Sequence, residues 1–220
     1  MNTRNADPIS AALGLAWLTV SAGVVLFMMQ GAALPESAPL PAVQSAPAVE
    51  SAPLQAVTQV TPQEILQEQQ ALAEFIAKRW RIAGEAASSF VAIAYKAGRL
   101  HSVDPVLILA VMAIESRYNP VAESDMGAMG LMQVIPRWHP EKLTDHGGED
   151  ALLEPEVNIH VGAQILREYY RRLGDEVLAL QMYAGAFNEP TAQYANKVYA
   201  ERARLEPVRQ RARKQTSTSV

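Results

Sequence analysis

Cysteine is absent from all 220 residues. That excludes disulfides, thiolate metal sites and cysteine nucleophiles. Charge is absent from Pro8 to Pro35, and no basic residue occurs between Arg4 and Lys78. Aromatic residues are absent from the stretch 34–60. An excess of positive charge is absent too: the net charge is −4, which argues against a general nucleic-acid partner. There is no glycine-rich phosphate loop and no serine-nucleophile elbow. The four histidines, His101, His139, His146 and His160, lack the paired i, i+4 spacing of a zinc protease and read as surface or capping residues.

What the chain does hold is apolar. Hydrophobic residues make up 49% of it and charged residues 19%, enough for a packed core. Residues 1–33 contain an uncharged apolar stretch longer than the ~20 residues that cross a bilayer as a helix. With Arg4 ahead of it, the expected topology puts the N-terminus in the cytoplasm and the rest of the chain outside. A cleaved signal peptide is the rival reading, because small residues follow the run. Its length favours an uncleaved anchor. Residues 34–60 are dominated by Pro, Ala, Ser, Val and Gln, and repeat "ESAPL" at Glu36–Leu40 and Glu50–Leu54. Such a composition cannot bury enough surface to fold. It reads as a spacer of up to ~80 Å.

Order is expected from Thr61. Thr61, Pro62 and Glu64 form the signature of a capped helix start. Ile65, Leu72, Ile76 and Trp80 then recur at helical intervals. A second stripe, Phe90, Val91, Ala94 and Tyr95, should end near Gly98. Asp104–Pro105 opens an apolar helix over Val106–Ile114. Gly127 to Ile135 reads as a short helix stopped by Pro136. Pro155 to Leu173 carries Val157, Val161, Ile165 and Tyr169 on one face, with Gly174 as its stop. Asp175 caps Glu176 to Tyr183, and Pro190 opens a last helix with Tyr194 and Val198 on one side. No stretch alternates at period two, so the expected class is all-α. The expected segments are 1–33, 34–60, a helical extension over 61–86, a main domain over 87–205, and a loose basic tail over 206–220.

The apolar helix ends on Glu115 and Ser116. Burial and the negative end of a helix dipole both disfavour a charged carboxylate there. A carboxylic acid kept protonated near neutral pH can give its proton to a leaving oxygen, the first half of glycoside cleavage. Downstream, Gly127 and Gly130 allow close backbone approach. Gln133 can hydrogen-bond an amide or hydroxyl, and Met129 and Met132 offer adaptable apolar surface. The polar run Trp138–Asp150 holds several acids that could line a cleft or supply a second acid.

"AIESRYNP" followed by "GAMGLMQVIP" resembles the lytic transglycosylases that carry a lysozyme-like SLT domain. The family's Glu-Ser matches Glu115–Ser116, and its Gly-Leu-Met-Gln matches Gly130–Gln133. Its tyrosine motif matches Tyr183–Ala186, and its last tyrosine and valine match Tyr194 and Val198. Asn158–Leu166 resembles the family's intervening helix. One departure is Ala184, where the family usually has asparagine.

The resemblance implies an enzyme without cofactor or metal that acts on peptidoglycan glycan strands. It would cleave between N-acetylmuramic acid and N-acetylglucosamine and leave a 1,6-anhydromuramyl end. Glu115 would be the catalytic residue, serving as acid and then base. Ser116, Met132, Gln133, Tyr183 and Tyr194 would contact substrate or orient the acid. The site would face the periplasm from the inner membrane, or lie free in the periplasm if the leader is cleaved. A hydrolytic lysozyme, and a weakly active wall-binding part of a secretion or conjugation apparatus, are the alternatives.

Overall fold

The chain divides into two units, Met1–Ala52 and Pro53–Val220. A computed structural model describes residues 60–218, all within the second. The expected membrane segment and nearly all of the spacer lie outside the described residues. No helix among those described is long and apolar enough to cross a membrane.

Six α-helices make up the described part: α1 (Pro62–Trp80), α2 (Gly84–His101), α3 (Pro105–Glu115), α4 (Pro155–Leu173), α5 (Glu176–Tyr183) and α6 (Gln193–Thr218). Short 3₁₀ turns fill much of Pro136–Leu153. Strand pairing among the described residues is limited to two isolated bridges, Glu123–Met129 and Met129–Val134, in keeping with the all-α expectation. α3 is the centre: every residue from Val106 to Ala113 is buried. α2 and α6 pack on α3, α1 packs on α2 and α6, and α4 joins α2 to α5. A helix enclosed in this way shows no amphipathic stripe, which is the pattern its sequence carries.

The helix starts follow their caps. Thr61 accepts from the Glu64 amide while Glu64 accepts from the Thr61 amide at 2.6 Å. Asp104 Oδ1 accepts from the Val106 amide at 3.0 Å. Asp175 accepts from the Leu178 amide at 2.8 Å.

Three expectations differ from the structure. α2 runs past Gly98 to His101 and ends at left-handed Ser102. Gly98 is instead a packing site: a Cβ there would lie 2.7 Å from the Val103 carbonyl. The expected Gly127–Ile135 helix does not form. Gly127, Gly130 and Gln133 take φ of 77°, 74° and 51°, which no α-helix accepts. The last helix starts at Gln193, not Pro190. Glu189 holds that entry by accepting from the Thr191 and Gln193 amides at 2.8 Å each.

The expected loose tail is also corrected. α6 continues through 206–218 because its cations meet acids on other helices. Arg209 Nη1 reaches Asp104 at 2.8 Å, and Arg213 pairs with the buried carboxylate of Glu68, which also accepts from Tyr95 Oη at 2.9 Å. Arg202 adds a second contact to Asp104 at 2.7 Å. Burial pushes the Asp104 carboxyl up, but the Val106 N–H, Arg209 and Arg202 outweigh it and hold the group below its ordinary value. A depressed carboxyl contributes stability above its unfolded value of about 3.9 and loses it as pH falls through the folded value. Asp104→Ala is therefore expected to lower stability by about 2 kcal/mol at neutral pH. The gap from wild type should close below pH ~4. Denaturant unfolding of both proteins across pH checks this, and a pH-independent gap would contradict it.

Candidate active site

Glu115 is the last residue of α3, so the buried helix delivers its side chain to one end of the core. The chain then turns sharply. Arg117 and Tyr118 both take left-handed φ, 53° and 63°, a conformation that persists only when surroundings enforce it. Tyr118 is enforced from within: it is buried, its hydroxyl donates to the Leu109 carbonyl at 2.9 Å, and its ring meets Trp80 with centroids 5.8 Å apart.

The Gly130–Gln133 loop is pinned from three sides. Asn158, wholly buried on α4, accepts from the Met132 amide at 2.7 Å and donates to the Met129 and Leu152 carbonyls at 2.8 Å each. Ser116 Oγ donates to the Leu131 carbonyl at 2.7 Å. Tyr183 Oη donates to the Met132 carbonyl at 2.8 Å. Gly130 cannot be another residue here, since a Cβ would lie 2.2 Å from Asn158 Nδ2 and 2.3 Å from the Leu152 carbonyl.

These elements enclose a cleft of about 450 Å³. Glu115, Gln133, Trp138, Tyr169, Tyr183 and Ala184 are among its lining residues. Among the described residues, Glu115 is the only carboxylate that lines it. Burial pushes the Glu115 carboxyl up to about 7, against the opposing pull of a hydrogen bond donated by Tyr194 Oη at 2.5 Å. Burial, followed by the nearby Glu115 charge, pushes both the Tyr183 and Tyr194 phenols up, so neither offers a second negative charge. The result is one acid, near its midpoint at neutral pH, facing an open cleft.

The structure sorts the expected substrate-contact residues. Tyr183 lines the cleft. Gln133 does too, with its Nε2 committed to the Ala122 and Gly130 carbonyls at 3.1 and 3.0 Å. Met132 does not fit the expected contact role: it is 0% exposed and packs on Gly162, and only its backbone serves the loop. Ser116 ties α3 to that loop, and Tyr194 meets Glu115; neither lines the cleft. His139, expected to be an ordinary surface residue, is a lining residue. No second acid enters from the Trp138–Asp150 run, which instead contributes Trp138 and His139. No group of three or more potential metal-binding side chains occurs among the described residues. Asn158 was not singled out by sequence reading. Its signal is an amide set on the apolar Val157–Val161 face, where burial demands full hydrogen bonding.

Tyr194 donates to the charged form of Glu115 and so lowers its pKa. Tyr194→Phe is expected to move the Glu115 titration upward by roughly half a pH unit to one pH unit. Carbon NMR of the carboxyl resonance follows it, and an unmoved midpoint would contradict the geometry.

The model of the Transglycosylase SLT domain family matches residues 92–205. The "Transglycosylase" of Enterobacteria phage PRD1 is 37% identical over 103 residues, covering 44% of this chain and 37% of that protein. The "Soluble lytic murein transglycosylase" of Salmonella typhimurium is 39% identical over 72 residues, covering 30% and 11%. The "Endo-type membrane-bound lytic murein transglycosylase A" of Klebsiella pneumoniae is 41% identical over 86 residues, covering 36% and 42%. Among solved structures, an inactive mutant of the lytic transglycosylase Slt from Pseudomonas aeruginosa aligns at 24% identity with a TM-score of 0.41, over 56% of this chain and 22% of that one. The chain thus spans less than half the length of these relatives.

Proposed function

Because the chain belongs to the transglycosylase SLT domain family, we propose that it is a lytic transglycosylase. It cuts the β-1,4 bond between N-acetylmuramic acid and N-acetylglucosamine in peptidoglycan and leaves a 1,6-anhydromuramyl end. The observation that carries this reading is the single carboxylate in the cleft, held near neutrality by burial. Glycosidases that rely on protein groups alone need two carboxylates, whereas substrate-assisted ones do not.

The chemistry closes with one residue. Protonated Glu115 gives its proton to the bridging oxygen as the C1–O bond of the muramyl residue breaks. The substrate's own acetamido oxygen bonds to C1 and carries the positive charge. The Glu115 carboxylate then takes the proton of the muramyl 6-hydroxyl. That oxygen bonds to C1, the acetamido group is released, and no water is consumed. A midpoint near 7 suits a group that must give a proton and then take one. Tyr194 steadies the carboxylate form between the two steps. In this reading Gln133 and Tyr183, both lining the cleft, contact the sugar.

Ala184 is exposed and lines the cleft, at the motif position where the family that the sequence resembles usually has asparagine. If that amide contacts sugar in the family, the contact is absent here and turnover is reduced. In this reading residues 87–205 are the catalytic domain, 61–86 a supporting helix, and residues 1–60 an anchor and spacer that hold the domain at the periplasmic face of the inner membrane. The same plan suits local wall opening beside a secretion or conjugation apparatus. Incubation with purified sacculi, followed by mass spectrometry of the released muropeptides, tests the activity. Soluble anhydro-ended fragments are expected, and no release over a buffer control would refute it.

A further inference from the structure

Two arginines that acid catalysis leaves unused lie against aromatic residues of the cleft wall. Trp138 lines the cleft and is 65% exposed. The Arg137 guanidinium lies over its ring, 5.5 Å from the centroid. Tyr169 lines the cleft from α4, and the Arg172 guanidinium lies 5.1 Å over its ring. His139 links the two, its ring 6.4 Å from that of Tyr169. A guanidinium beside an aromatic ring keeps a fork of N–H donors that suits a planar acceptor such as carboxylate.

Neither Arg137 nor Arg172 makes a salt bridge among the described residues. The acids near Tyr169 are engaged elsewhere. Glu168 and Glu141 both hold Lys142, at 2.7 and 3.3 Å, and Glu168 also accepts from Gln164 at 3.0 Å. The exposed acids Glu123 and Asp125 flank Ser124 on a different segment of the cleft and pair with neither arginine. Two cations against cleft aromatics therefore have no carboxylate partner among the described residues.

We propose that the Trp138–His139–Tyr169 wall is a subsite for the peptide stem of the glycan strand, with Arg137 and Arg172 receiving stem carboxylates while the aromatic faces pack on sugar. The inference rests on the transglycosylase reading for its substrate. Carboxylate can come from two places on such a strand. In a denuded strand it is the single lactyl group on the muramyl ring. In a stem-bearing strand the lactyl carboxyl is an amide, and several carboxylates lie farther out along the peptide. Two arginines, each on its own ring, match the second source better than the first.

The test uses full-length protein carrying Glu115→Gln, so that ligands are not consumed. Binding is measured to glycan strands bearing tetrapeptide stems, to amidase-denuded strands, and to chito-oligosaccharides, which carry no carboxylate. The expected order is stem-bearing, then denuded, then chito-oligosaccharide. Adding Arg137→Ala with Arg172→Ala should weaken stem-bearing binding by about 2- to 30-fold, the span of two part-exposed ion pairs. The loss should shrink as salt rises. Arg171→Ala, an exposed cation on the same helix that stacks on no cleft ring, should leave the order and ratios in place. An Arg137→Gln/Arg172→Gln pair serves if the alanine pair lowers the melting temperature. Equal binding of stem-bearing and denuded strands, tighter binding of denuded strands, or stem-bearing binding indifferent to both arginine pairs would overturn the subsite. Wild-type cleavage of the same strands separates the two claims. Arginine-dependent stem binding without any cleavage would sink the lytic reading and leave the subsite standing. Cleavage with arginine-independent binding would do the reverse.

Discussion

Glu115→Gln is expected to retain the fold and lose at least ~10²–10⁴-fold in glycan cleavage, the range typical of one acid–base group. Here the same carboxyl serves both proton transfers, so the loss should reach or pass the upper end. Glutamine keeps the shape and can still accept the Tyr194 hydrogen bond, but it neither gives nor takes the proton. Stability supplies a second, independent signature. The wild-type carboxyl is pushed up to about 7 by burial, above its unfolded value of about 4.3. A carboxyl raised in this way loses stability as pH rises from the unfolded value to the folded one, and the penalty is complete above pH ~7. The amide has no such penalty. The mutant should therefore melt above wild type at pH ~8, by about 1–3 kcal/mol, and match it near pH ~4. A surface glutamate would instead give melts within about 0.5 kcal/mol at every pH and unchanged activity.

Asn158→Ala should be the most damaging substitution away from the acid. It removes a wholly buried amide, strands the Met132 N–H and the Leu152 carbonyl, and leaves the Met129 carbonyl with the Val134 N–H alone. Each unsatisfied buried group costs about 1–3 kcal/mol, so a loss of about 3–5 kcal/mol is expected. That is a large share of a typical folding free energy of about 5–15 kcal/mol. Activity should fall with stability. The loop that Asn158 holds presents the Met132 carbonyl to Tyr183 and the Leu131 carbonyl to Ser116, and so sets the floor of the cleft beside Glu115. Chemical denaturation and amide exchange at Met132 check this. A wild-type midpoint with a protected Met132 amide would contradict the role given to Asn158.

Much of this was legible in the chain, for physical reasons. Caps at Thr61, Asp104 and Asp175 are local chemistry, a side-chain oxygen two or three residues from the amide it serves, so they read directly. The burial of α3 reads from its unbroken apolar run, and the raised Glu115 carboxyl follows from its place at the end of that run. Long-range pairing was not legible. Gly98 looked like a stop because glycine often ends helices, but its missing side chain serves contact with Val103. The basic tail looked loose because its acids, Glu68 and Asp104, lie about a hundred residues or more away in the chain. Gly127–Ile135 looked helical because spacing does not reveal three left-handed φ angles. At the site, Glu115, Gln133 and Tyr183 fall at the cleft, whereas Met132, Ser116 and Tyr194 act behind it. Composition cannot separate a residue that touches ligand from one that holds the residue that does.

Cleavage of stem-bearing glycan strands in heavy-oxygen water tests the central claim most directly. If the muramyl 6-hydroxyl attacks C1 after Glu115 has protonated the leaving oxygen, the new muramyl ends contain no solvent oxygen, resist borohydride reduction and carry the mass of an anhydro sugar. Heavy oxygen at C1 with reducible ends would show that water is the nucleophile, and would replace the one-carboxylate lytic mechanism with hydrolysis.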